Sequence, residues 1–247
     1  MENERLRIVD GISVEGSRED KMKKHKFGLI GIYDYTVILT YISFASAIIG
    51  IFCAVTLHLR WAVFALAFSG FCDMFDGKIA RTKKDRTEDG KSFGIQIDSL
   101  CDVVCFGVLP IVICYEMGMR HIVGMVILVL YGLAGMIRLG YYNVMEAKRQ
   151  HETEEARKYY QGLPITSMAI ALPILFVCYP FFPSPGAFLV ALHILVAAVG
   201  GLFIADFPFP KPSPRKVLLI VGVVAVAVAI LLFMWKGGSG FIHKHQW

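Results

Sequence analysis

The sequence predicts an all-α polytopic membrane protein: a six-helix core followed by a seventh, C-terminal transmembrane helix, with a cytoplasmic N-terminus. Three observations carry that expectation. Of 247 residues, 56% are hydrophobic and only 18% charged, with a mean hydropathy of +0.59, outside the range of soluble domains. Mostly apolar runs of about 20 residues, the length a helix needs to cross a bilayer, recur along the chain. The segments between them alternate between Lys/Arg-rich and nearly bare.

The predicted spans are 34–57, 60–80, 94–116, 121–145, 164–182, 187–206 and 216–235. The second and third are the least purely apolar, because they hold four aspartates. Of the 25 Lys and Arg residues, 21 fall in the N-terminal segment, the linker after the second span, the region after the fourth, and the sixth-to-seventh loop. Arg60, Arg120, Lys236 and Lys244 lie on the other side. Basic loops stay in the cytoplasm, so the expectation is N-terminus inside and C-terminus outside, in a bacterial-type inner (plasma) membrane. Pro/Gly-rich turns at 182–186 and 208–216 leave no room for a second domain. Residues 1–27 read as a cytoplasmic basic arm, 28–206 as one membrane domain, and 207–247 as a linker, the extra helix and a short tail. The arm's cations either favour anionic lipid headgroups or only enforce topology; both readings stand.

The net charge is only +5, so its distribution is informative and no nucleic-acid partner is expected. The six cysteines (53, 72, 101, 105, 114 and 178) lie in apolar runs with no CxxC pair. Neither a disulfide framework nor a zinc site is expected, and these residues suit buried helix faces. His193 is expected to be packed or hydrogen-bonded between helices. No A-x-A-like cleavage site follows the basic arm, so no removed signal peptide is expected.

Polar chemistry concentrates between residues 73 and 102. A carboxylate at membrane depth costs at least about 2.5–3.5 kcal/mol on insertion scales, yet Asp73, Asp76, Asp98 and Asp102 all occur there. Spacings of i, i+3 and i, i+4 put each pair on one helix face. Two neighbouring antiparallel helices can thus gather four carboxylates near the cytoplasmic surface. Hard divalent cations such as Mg²⁺ or Mn²⁺ are the natural counter-ions, and two of them can clamp a diphosphate during in-line displacement. Gly77 and Gly94 permit close approach of a ligand or backbone, and Arg81 is placed to pair with a phosphate. Interfacial salt bridges to Lys78, Arg81 and Lys83 explain neither the same-face pairs nor the glycines. A cation or proton transporter is the alternative from another class.

Asp73-x-x-Asp76-Gly77-x-x-Ala80-Arg81, followed by Gly94-x-x-x-Asp98-x-x-x-Asp102, resembles the signature of the CDP-alcohol phosphotransferase family. The resemblance implies that the four aspartates ligate two divalent metals and that Asp102 is the general base. It also implies a CDP pocket lined by Gly77, Ala80, Arg81 and Gly94, with Thr40 and Ser43 on the first span as further polar contacts, and a homodimer. The spacer 82–93 is longer than the family usually has and is expected to extend the cytoplasmic loop.

Three further blocks resemble the phosphatidylserine synthase branch: Arg138-Leu-Gly-Tyr-Tyr-Asn143, Gln161-Gly-Leu-Pro164, and the run from Asp98 to Pro110. That resemblance implies CDP-diacylglycerol and L-serine as substrates and CMP as a product. Arg138 would grip the serine carboxylate through its bidentate fork, and the ammonium would meet a carboxylate or the amide oxygen of Asn143 or Gln161. Arg138 also reads as a residue snorkelling near a helix end, and the turn at 162–164 as an ordinary helix start. Other acceptors, such as inositol phosphate or glycerol phosphate, would call for a larger basic cluster.

Overall fold

The computed structural model describes residues 35–80, 87–152, 159–210 and Val226. The basic arm, Arg81, Lys83 and all of the seventh span except Val226 lie outside the described residues. Its helices are α1 (Ile38–Val55), α2 (Leu59–Ala80), α3 (Glu88–Asp102), α4 (Leu109–Glu116), α5 (Ile122–Glu152), α6 (Met168–Val177) and α7 (Pro185–Ile204). A π-helical turn, Val103–Val108, joins α3 to α4. Among the described residues, four helices are long and apolar enough to cross a membrane: Ile38–Val55, Gly90–Glu116, Ile122–Ala147 and Pro185–Ile204. These overlap the first, third, fourth and sixth predicted spans. Apolar side chains such as Ile49, Phe52, Ile122, Val129 and Ile194 are exposed along them, as lipid-facing surfaces are, and a polytopic membrane protein accounts for that pattern.

Helix α2 has 22 residues and carries Arg60, Asp73 and Asp76 among its apolar ones. It packs along α1 through a stripe of small buried residues, Thr40, Ser43, Ala47, Gly50 and Ala54. A Cβ on Gly50 would lie 2.8 Å from that of Ala65, so the two backbones approach as membrane helices with small residues do. Ser43 and Ser69 exchange hydrogen bonds across the pair: Ser43 Oγ donates to the Ser69 carbonyl at 3.3 Å, and Ser69 Oγ to that of Ser43 at 3.1 Å. Ser43, expected as a nucleotide contact, therefore has a helix-pairing role here.

Two expectations need correction, and one short strand pair is added to the all-helical fold. The spacer 82–93 is not loop throughout: α3 already starts at Glu88, because Thr87 caps it by accepting a hydrogen bond from Gly90 N at 3.1 Å. The fifth span is shorter than 164–182. Its apolar helix runs over Ile165–Val177, and 13 residues rise only about 20 Å; Pro164 starts it, and a separate turn, Tyr179–Phe181, follows Cys178. The chain is also not purely helical. Tyr159–Gln161 (β1) pairs antiparallel with Pro208–Pro210 (β2), tying the loop after α5 to the segment after α7.

The π turn has a specific cause. Pro110 has no N–H to give the Phe106 carbonyl four residues earlier, and the ladder shifts so that Leu109 N bonds Val104 O. The orphaned Phe106 carbonyl accepts instead from the hydroxyl of Tyr131 on α5. Both residues are buried. Replacing Tyr131→Phe leaves that carbonyl unpaired, and a loss of about 1–3 kcal/mol is expected. It should appear as a lower thermal midpoint in detergent, and an unchanged midpoint would remove Tyr131 from this role.

Candidate active site

The four aspartates come from the C-terminal part of α2 and the last two turns of α3. Carboxylate oxygens of Asp73, Asp98 and Asp102 lie within 4.8 Å of one another, and all three residues are half-buried. Asp76 is buried at 8% exposure and lies one turn beyond Asp73 on α2. The two same-face pairs do meet, but not through helices packed along their whole length. Helix α2 reaches the second limb through the π turn and α4, while α1 lies against both limbs. Gly94 sits half-buried on α3, one turn before Asp98. Gly77 and Ala80 belong to the last turn of α2, but their surroundings lie outside the described residues.

The donor chemistry fits a hard cation. Three carboxylates within bonding reach of one centre offer oxygen ligands alone, which suits Mg²⁺ or Mn²⁺ and not a softer metal. The nearby thiols stand apart from that set. Cys101 donates to the Thr40 carbonyl at 3.3 Å, and Cys101 and Cys105 lie 3.5 Å apart, with Cys105 beside Ser43. Cys101 and Cys105 are free and buried, as their apolar context predicts. Thr40 is likewise buried and is held against α3 by that thiol.

The expected acceptor residues fall on two elements. Arg138 is buried at 9% exposure, with fourteen residues of α5 still to follow, so the snorkelling reading does not hold. Its guanidinium lies 5.9 Å from the centre of the Tyr142 ring, within cation–π range. Asn143, on the same helix, accepts at Oδ1 from the Ser99 hydroxyl at 2.9 Å. The Ser99 hydroxyl thus takes one of the two lone pairs of that amide oxygen. Gln161 is placed by its backbone in β1, paired with Pro208.

The turn at 162–164 is neither a plain helix start nor a free loop. Gly162 has φ +69°, and a Cβ there would lie 2.9 Å from the Ala205 carbonyl, so only glycine suits the position. Its N–H donates to Phe207 O, and Leu163 N to Leu202 O, which satisfies one of the carbonyls that the end of α7 leaves open. His193 packs beside Gly124 as expected, but its Nδ1 pairs with Leu189 O within its own helix at 2.7 Å.

Sequence reasoning missed Ser99. The available signal was its place directly after Asp98, three residues before Asp102, since a membrane hydroxyl seeks a partner. It missed Tyr131 as well, although Pro110 implied an orphaned carbonyl somewhere upstream.

The family model for CDP-alcohol phosphatidyltransferases matches residues 36–236, and the chain belongs to that family. Among similar proteins is the CDP-diacylglycerol–serine O-phosphatidyltransferase of Saccharomyces cerevisiae, 34% identical over 106 residues, 42% of this chain and 37% of the relative. The Helicobacter pylori protein of the same name is 30% identical over 142 residues, 56% of this chain and 55% of the relative. The archaetidylserine synthase of Methanothermobacter thermautotrophicus is 27% identical over 136 residues, 55% and 54% of the two chains. The chain thus spans about a third to a little over half the length of these curated relatives.

The carboxylate cluster makes a direct prediction. Asp98→Asn removes one of the three converging carboxylates, so Mn²⁺ affinity, read by titration of the purified protein, should fall at least about tenfold. An unchanged affinity would exclude the cluster as the metal site.

Proposed function

We propose that this protein transfers the phosphatidyl group of CDP-diacylglycerol to the hydroxyl of L-serine, giving phosphatidylserine and CMP. The observation that carries the reading is the convergence of Asp73, Asp98 and Asp102 within 4.8 Å, with Asp76 one turn beyond Asp73 on α2. Family membership and the names of the similar proteins supply the substrate class.

Asp102 takes the proton from the serine hydroxyl. The freed oxygen attacks the phosphorus that carries diacylglycerol, the new O–P bond forms, and the bond to CMP breaks. Asp73, Asp76, Asp98 and Asp102 would hold two Mg²⁺ or Mn²⁺ ions, which would supply positive charge to stabilise the diphosphate and the CMP leaving group. Gly77, Ala80, Arg81, Gly94 and Thr40 line the CDP pocket. Arg138 pairs with the serine carboxylate, with Asn143 and Gln161 alongside. The lipid tails enter sideways between helices, so a site for soluble serine and a CDP headgroup can stand within a membrane domain.

The chain crosses the plasma membrane seven times, with the basic arm and the site on the cytoplasmic side, and works as a homodimer. The short apolar helix Ile165–Val177 then completes its crossing with the flanking turns or a locally thinned bilayer.

Asp102→Asn should lower the incorporation of labelled serine by about 10²–10⁴-fold, the usual worth of general-base catalysis, while the protein stays folded. Near wild-type turnover would remove the base assignment. Arg138→Ala removes a charge-assisted contact worth about 1.5–3 kcal/mol, so the KM for serine should rise by one to two orders of magnitude. The KM for CDP-diacylglycerol should barely move, and equal effects on both would mark Arg138 as structural.

A further inference from the structure

We infer that Asn143 offers its amide N–H groups, not its amide oxygen, to an anionic oxygen of the acceptor, and that Ser99 is the positioning residue that sets this polarity. The inference rests on serine being the acceptor. Its first support is the hydrogen bond itself, in which Ser99 Oγ donates to Asn143 Oδ1 at 2.9 Å. Asn143 is half-buried, and among the described residues its side chain makes no other hydrogen bond. A primary amide has an oxygen with two lone pairs and two N–H donors; here one lone pair faces Ser99, and both donors remain for a ligand.

Placement is the second support. Ser99 follows Asp98 directly, and a rise of about 1.5 Å per residue puts the Asn143 amide at the depth of the carboxylate cluster. The bond spans 44 positions of sequence and links α3, which carries two of the aspartates, to α5, which carries Arg138. Turning the amide over, so that its oxygen takes the place of its N–H groups, would break that link.

The third support is charge. A site built on four aspartates already has acceptors for an ammonium group. The carboxylate of serine needs donors, and α5 supplies them from Arg138 and Asn143. The two residues act on opposite terms: Arg138 brings charge, and the amide brings direction without adding a second cation beside the metal ligands. A polarised donor of this kind also favours an acceptor with a carboxylate over the same amino alcohol without one.

Asn143→Asp is the decisive variant, because it keeps an oxygen for Ser99 and exchanges the donors for an anionic oxygen. Full-length protein in detergent–lipid micelles would be assayed for CMP release with L-serine and with L-serinamide. Asn143→Asp should raise the KM for serine about tenfold or more, further than Asn143→Ala does, and shrink the preference for serine over serinamide. The KM for CDP-diacylglycerol should stay within about twofold. Ser99→Ala should move serine KM in the same direction by a smaller factor, and Ser99→Thr, which restores a hydroxyl, should bring it back. Wild-type or better use of serine by Asn143→Asp would overturn the inference and put the amide oxygen on the ammonium. An equal rise in both KM values would also overturn it and leave a structural link. If the unaltered protein releases CMP with another alcohol but not with serine, the acceptor reading fails, and this inference with it.

Discussion

Mutual repulsion among four aspartates, in a bundle otherwise made of apolar side chains, is the constraint on which the rest of the architecture depends. Two carboxylates come from the end of α2 and two from α3, and three of them crowd within 4.8 Å. Such a group is stable only with compensating positive charge and with a backbone held firmly enough to keep the acids together. The surrounding contacts meet the second need. The small-residue stripe of α1 lets α2 lie close, the Ser43–Ser69 exchange sets the axial register of that pair, and α1 touches α3 through Thr40 and Cys101. For the first need, the all-oxygen donor set suits hard cations.

The second limb holds its geometry through a local break. Asp102 is the last residue of α3, and the π turn begins at the next residue. Widened turns of this kind are common at functional sites because they re-aim side chains without ending a helix. Pro110 and Tyr131 stabilise the break together, one by withholding an N–H and the other by supplying an O–H to the carbonyl left behind. Farther along α5, the Ser99–Asn143 hydrogen bond ties that helix to α3. The Gly162 turn and the β1–β2 pair close off the end of α7 in the same manner, by satisfying backbone groups that apolar surroundings would otherwise strand.

Much of this was readable in advance, and the reason is periodicity. Long apolar runs identify membrane helices because a helix satisfies its own backbone, so 34–57, 94–116, 121–145 and 187–206 overlap helices close to those limits. The aspartate spacing declared its own geometry, since i, i+3 and i, i+4 share a face in any helix. What fails is what depends on a partner far along the chain. The start of α3 at Glu88 is set by a single cap at Thr87 inside a polar stretch that reads as loop. The length of the fifth helix is set by where its flanking turns dock. β1 and β2 are three residues each, too short for a pattern.

The sequence by itself determined the chemistry: which acids gather, that they need hard cations, and that the fold around them is a helical membrane bundle. These follow from local spacing and from the expense of charge in an apolar medium, both readable without knowing what packs on what. Only the tertiary structure decided polarity and partnership. It gave Ser43 a hydrogen-bonded partner in Ser69 across α1 and α2 and buried Arg138 in mid-helix instead of at an end. It also engaged the oxygen of Asn143 with Ser99, so that the amide can act as a donor. A side chain's type fixes what it can bond, but which of its atoms remains available is decided by the neighbour that reaches it first.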